Sequence, residues 1–134
     1  MHFFSKRLAM SFDQALTATK KTLEEHDFAV LAEANVRRAL KQHLGVDFRP
    51  YTVLSTCSLK LLRHTCDRPD APVWLSNIVI QDQGQGFVEV SAVDPASTVG
   101  TINDIDAVRA NNELRAHLWA TIDTIEGQRL ERLA

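Results

Sequence analysis

Between Val73 and Val93 the chain holds two strand-length apolar runs on either side of a five-residue turn segment. Val73 to Gln81 reads Val-Trp-Leu-Ser-Asn-Ile-Val-Ile-Gln, and Phe87-Val88-Glu89-Val90-Ser91-Ala92-Val93 alternates apolar with polar or small side chains. Between them Asp82-Gln83-Gly84-Gln85-Gly86 supplies two glycines, which accept the positive φ that tight hairpin turns demand. Strands joined by so short a loop must be antiparallel, because a parallel partner needs a long crossover. An antiparallel sheet with an apolar face needs cover on that face, so helices are expected against it.

The remaining segments supply them. Phe3 to Ala9 is expected as a first, edge-like strand. Ser11-Phe12-Asp13-Gln14 has the form of a capping box, and Phe12, Ala15, Leu16, Thr19 and Leu23 then recur at helical spacing. Phe28 to Ala32 is a short strand. Asn35 is a good helix N-cap, Val36, Ala39, Leu40 and Leu44 form the stripe of a second helix, and Gly45 suits its left-handed end. Pro50 pushes Arg49 toward an extended conformation and delivers Tyr51 to Cys57 as a strand, with a short helix at Leu59 to Cys66. Asp94-Pro95 ends the hairpin's second strand, and Ala96 to Thr101 is a small-residue connection. From Asn103 on, Ile105, Val108, Leu114, Leu118, Ile122 and Ile125 make a long helical line, in which Asn111-Asn112 is a candidate break or fresh N-cap. The tail after Gln128 is expected to fray. No repeat or linker divides the 134 residues, so one α+β domain over residues 1–134 is expected.

Charge and cysteine content bound the function. A net charge of −2 with mixed signs lacks the basic excess of a nucleic-acid binder. No apolar run approaches the ~20 residues a membrane span needs. The start lacks the pattern of a secretory signal, and two cysteines without framework spacing point to a reduced, cytoplasmic setting.

Leu44-Gly45-Val46-Asp47-Phe48-Arg49-Pro50-Tyr51 resembles the signature of the domain-of-unknown-function 302 family. Ser11-Phe12-Asp13-Gln14-Ala15, Asp27 to Glu33 and Val88 to Pro95 agree with it in order and spacing. The resemblance runs from about Phe3 to about Ile125. It implies a compact α+β domain, an antiparallel sheet with helices packed mainly on one face, in the strand–helix–strands–helix layout of TATA-binding-protein-like folds. Family members are bacterial and archaeal, and the family name records that no activity is settled. The chain departs from the family at two places. Cys57-Ser58-Leu59 stands where members place Cys-Asn-Pro, and Leu75-Ser76-Asn77 stands where they place Leu-Pro-Cys. Cys57 is thus kept and the second thiol is replaced by Asn77, so any family property that uses both thiols is expected to be lost.

Cys57 is the one candidate for catalysis, because a thiol at a strand-to-helix junction can feel the helix N-terminus and ionise more readily. The plainer reading is a small buried side chain. Arg49, Tyr51, Cys57 and Asn77 are candidates to line a site for a small anionic ligand. The plainer reading pairs Arg49 with a local acid such as Asp47 and packs Tyr51 into the sheet. Arg37, Arg38 and Lys41 form a modest basic patch, read as a solvated helix face in preference to a phosphate site. His64 and Cys66 lack metal-site spacing, and His2, His26, His43 and His117 are scattered, so no metal and no cofactor is expected. Glu33 and Glu89 have no identifiable acid–base partner, and Trp74 and Trp119 read as core or interface aromatics. The resulting expectation is a non-catalytic binding or interaction domain acting as a homodimer, without nucleic-acid or membrane partners. Its alternative is a small thiol enzyme or redox protein using Cys57.

Overall fold

The structure, a computed structural model, describes residues 2–65, 67, 74–93 and 105–125. Its elements run β1 (His2–Leu8), α1 (Phe12–Glu25), β2 (Phe28–Asn35), α2 (Val36–Leu44), β3 (Tyr51–Ser58), α3 (Leu59–Thr65), β4 (Leu75–Gly84), β5 (Phe87–Val93) and α4 (Ile105–Asp123). Cys66, the connection 94–101 and the tail 128–134 lie outside the described residues. No helix among the described residues is long and apolar enough to cross a membrane.

The five strands form one antiparallel sheet in the order β1-β5-β4-β3-β2. At the β4–β5 turn Gly84, Gln85 and Gly86 take φ values of 75°, 57° and 82°. The Asp82 carboxylate accepts the Gly84 N–H at 2.8 Å there. Consecutive strands β1 and β2 occupy opposite edges, so α1 must cross the sheet to join them, touching β2, β4 and β5 on the way. Both halves of its capping box form: the Ser11 hydroxyl accepts from the Gln14 N–H, and the Gln14 side chain accepts from the Ser11 N–H, each at 3.1 Å.

Register places Phe4, Leu8, Leu54, Ile78, Ile80, Val88 and Val90 on one face. Ala15 and Leu23 of α1 and Leu114, Leu118 and Ile122 of α4 pack onto it. Trp119 meets Phe4 edge-on at 5.2 Å between centroids, and Trp74 joins the same core. A fully buried side chain of this size is worth about 1.5–3 kcal/mol, so this face dominates stability.

Three expectations change. β2 does not stop at Ala32 but runs through Asn35 directly into α2, and Leu31 is an extra residue between the pairs Val30–Thr56 and Ala32–Ser55. The stripe of α2 is not buried: none of its residues is, and Leu44 is 69% exposed. The helix lies in the β2–β3 connection and packs on β3, away from α1 and α4, so no apolar layer covers it. The final helix has no break at Asn111-Asn112, because its apolar line continues through Leu114 to Ile122 and Asn111 is itself buried.

A buried cation joins the first strand to the last helix. Lys6, 5% exposed and on the helix-covered face between Phe4 and Leu8, donates its ammonium to the Asp123 carbonyl at 2.9 Å and to the Ile125 carbonyl. Those carbonyls lie at and just past the C-terminal end of α4, where the partial negative charge of a helix end favours a cation. Burial pushes the Lys6 amine below its usual value, and Asp123 pulls it back up. Replacing Lys6 by Met keeps the stem and removes the donor. Lys6→Met is therefore expected to lower unfolding stability by about 1–3 kcal/mol, read as a drop in the urea midpoint with an unchanged slope.

Candidate functional site

The sheet face turned away from α1 and α4 is built from different residues. Strand alternation puts Tyr51, Val53, Ser55 and Cys57 of β3 there, with Asn77, Val79 and Gln81 of β4 and Glu89 and Ser91 of β5. Short polar side chains dominate, and the Ser91 hydroxyl is fully buried without a hydrogen-bond partner among the described residues.

Arg49 lies at one end of this face. Its Nε and Nη2 both donate to the Gln81 carbonyl oxygen, at 3.0 and 2.8 Å. The guanidinium lies 4.4 Å from the Phe48 ring centroid and 5.5 Å from that of Tyr51. Gln81 is the register partner of Tyr51, so the strand pairing itself sets the anchor for Arg49. The expected Arg49–Asp47 pair does not form: Asp47 bonds Lys41 at 3.0 Å, because the turn after Gly45 aims it at α2. No carboxylate lies within ion-pair distance of Arg49 among the described residues.

Asn77 sits in the middle of the face, opposite Ser55, whose hydroxyl donates to the Asn77 carbonyl oxygen at 3.1 Å. Cys57 is two residues further along β3, so positions 57 and 77 are diagonal neighbours on one face. Cys57 and Asn77, the two positions the resemblance singled out, are therefore adjacent in space. Arg49 and Tyr51 belong to the far end: six residues separate Tyr51 from Cys57, about 20 Å along a strand. The four candidates share a face and do not share one cavity.

Cys57 is 4% exposed. Burial pushes its thiol above the usual value, and a hydrogen bond with the Ala29 backbone pulls only partly the other way. The expected activation by the following helix does not dominate, since α3 has only seven residues and the thiol is shut away from water.

On the opposite face, beside the end of β3, His117 forms a junction that no sequence pattern marked. Its Nε2 donates to the His26 carbonyl at 2.6 Å, its Nδ1 faces the Ser58 hydroxyl at 3.4 Å, and its ring stacks on Phe28 at 4.2 Å. Ser58 is 2% exposed and also accepts the Leu61 N–H at 3.3 Å, which caps α3. A buried hydroxyl so engaged is a structural link rather than a nucleophile. Beside it, Arg63 grips Asp27 at 2.6 and 2.9 Å, and this bond holds the Asp27 carboxyl below its ordinary value. Burial lowers the His117 value, so the ring is favoured neutral. Among the described residues, no three His, Cys, Asp or Glu side chains group closely enough to hold a metal ion.

A model of the domain of unknown function DUF302 matches residues 4–125. Among solved structures, the chain is similar to an uncharacterized conserved DUF302 protein from Bacillus stearothermophilus. The identity is 21% and the TM-score 0.70, with 92% of this chain and 98% of that chain covered. At that identity the likeness carries the fold alone. No curated protein matches.

Cys57 should resist alkylation: with iodoacetamide at pH 8, peptide mapping is expected to find it unmodified in folded protein and modified in urea. Rapid labelling of the folded chain would show the thiol accessible and ionised. For His117 the folded value lies below the unfolded one of about 6.5, so the unfolded chain binds the extra proton. Stability is then full above pH 7 and is lost as pH falls through 6.5 toward the folded value. A lower urea midpoint at pH 5 than at pH 7.5 is expected, with His117→Gln reducing the difference.

Proposed function

We propose that this chain, which belongs to the DUF302 family, is a non-catalytic interaction domain that works as a homodimer joined along β2. The observation that carries the reading is the contrast between the two edges of the sheet. β1 carries Lys6 and Arg7, the charged residues with which natural sheets discourage further pairing. β2, Phe-Ala-Val-Leu-Ala-Glu-Ala-Asn, carries only Glu33, already held by Lys20 of α1 at 2.9 Å.

From Leu31 onward every residue of β2 is exposed, and Leu31 itself is 56% exposed. A second copy is the natural occupant. Two identical strands related by a two-fold axis pair antiparallel, so each satisfies the free N–H and C=O groups of the other. Leu44, the last residue of α2, is exposed as well. The buried, poorly ionised Cys57 supports a non-catalytic role, and a free thiol suits the reducing cytoplasm.

Sedimentation velocity at micromolar concentration is expected to give a dimer, and Leu31→Lys to give a folded monomer. A monomeric parent chain, or a Leu31→Lys variant that stays dimeric, would overturn the assignment.

A further inference from the structure

The basic patch of α2 is one wall of a groove. Lys41 stands four residues after Arg37 and three after Arg38, and all three side chains line the groove. Val46 and Phe48 line it as well, and the open groove measures about 430 Å³. Phe48 carries the Arg49 guanidinium on its ring, so a fourth cation lies behind the apolar wall. Only one acid meets this group: Asp47 bonds Lys41, and among the described residues neither Arg37, Arg38 nor Arg49 has a carboxylate within 4.0 Å. Three cations and one carboxylate lining the groove are a local excess of positive charge on a chain whose net charge is −2.

We infer that this groove binds a small organic phosphate, with the phosphate between Arg37 and Arg38 and the organic body on Val46 and Phe48. Two features select that class. Guanidinium groups present planar pairs of N–H donors that match the oxygens of phosphate, and two unengaged ones side by side suit a dianion or diphosphate better than a single carboxylate. The volume falls in the range of small-molecule sites, about 300–1,000 Å³, and exceeds what a bare inorganic ion fills. Asn35 lines the groove where α2 begins, so the positive end of the helix lies at the site as well. Binding here uses side chains of α2 and of Val46 and Phe48, and not the main-chain edge of β2 on which the proposed dimer rests.

Calorimetric titration at low salt with adenosine 5′-diphosphate, inorganic pyrophosphate and adenosine as three separate probes tests the inference. The diphosphate nucleoside is expected to bind, pyrophosphate more weakly, and adenosine not measurably. The double variant Arg37→Gln, Arg38→Gln is expected to weaken nucleotide binding by about tenfold or more, with an unchanged thermal midpoint because both side chains are exposed. Phe48→Ala is expected to weaken the nucleotide and leave pyrophosphate unaffected. Absence of heat from both phosphate probes up to about 5 mM would overturn the proposal. So would unchanged nucleotide affinity in the double arginine variant. Equal binding of nucleotide and pyrophosphate would overturn the role given to Val46 and Phe48.

Discussion

Burial of α1 and α4 against the face that carries Phe4, Leu54, Ile78, Ile80 and Val90 sets the rest of the molecule. Those contacts consume the long apolar side chains, and the hydrophobic effect rewards them in proportion to area removed from water. What remains follows by exclusion. The other sheet face keeps short polar side chains, and the β2–α2 end, which α1 meets through the Lys20–Glu33 ion pair, keeps Leu31 and Leu44 in solvent. The candidate interaction surfaces lie in the regions that the core does not cover.

Polar links then close the arrangement at its two ends. Lys6 ties β1 to the end of α4, and His117 ties α4 to the α1–β2 corner and, through Ser58, to the start of α3. Both pairs join residues far apart in the chain, and both satisfy main-chain carbonyls that would otherwise end in a dry environment. An unmet buried carbonyl costs about 1–3 kcal/mol, comparable to a sizeable part of the stability of a domain this small. These side chains are therefore positioned for structure, although a lysine and a histidine with depressed values could be mistaken for a catalytic pair.

The thiol question changes character with the fold known. Positions 57 and 77 are diagonal neighbours on one sheet face, so a thiol at position 77 would lie beside Cys57 rather than far from it. Asn77 satisfies itself on Ser55, and Cys57 stays buried and poorly ionised. Arg49, which precedes the far end of β3, belongs to a different neighbourhood, that of Phe48, Tyr51 and Gln81.

Local physics alone determined much of this chain. Ser11 with Gln14, Asn35, Gly45 and the glycines around Gln85 each act within a few residues, so their caps and turns were legible in sequence. So were the antiparallel hairpin and the helical line of α4, because periodicity reports which side of an element faces a core. It does not report where that core ends. Whether the stripe of α2 is covered, whether Asp47 reaches Arg49 or Lys41, and whether Lys6 lies inside depend on which elements become neighbours. That choice was made only when α1 crossed the sheet and left β1 and β2 at opposite edges, since contacts between distant residues exist only once the layers have packed.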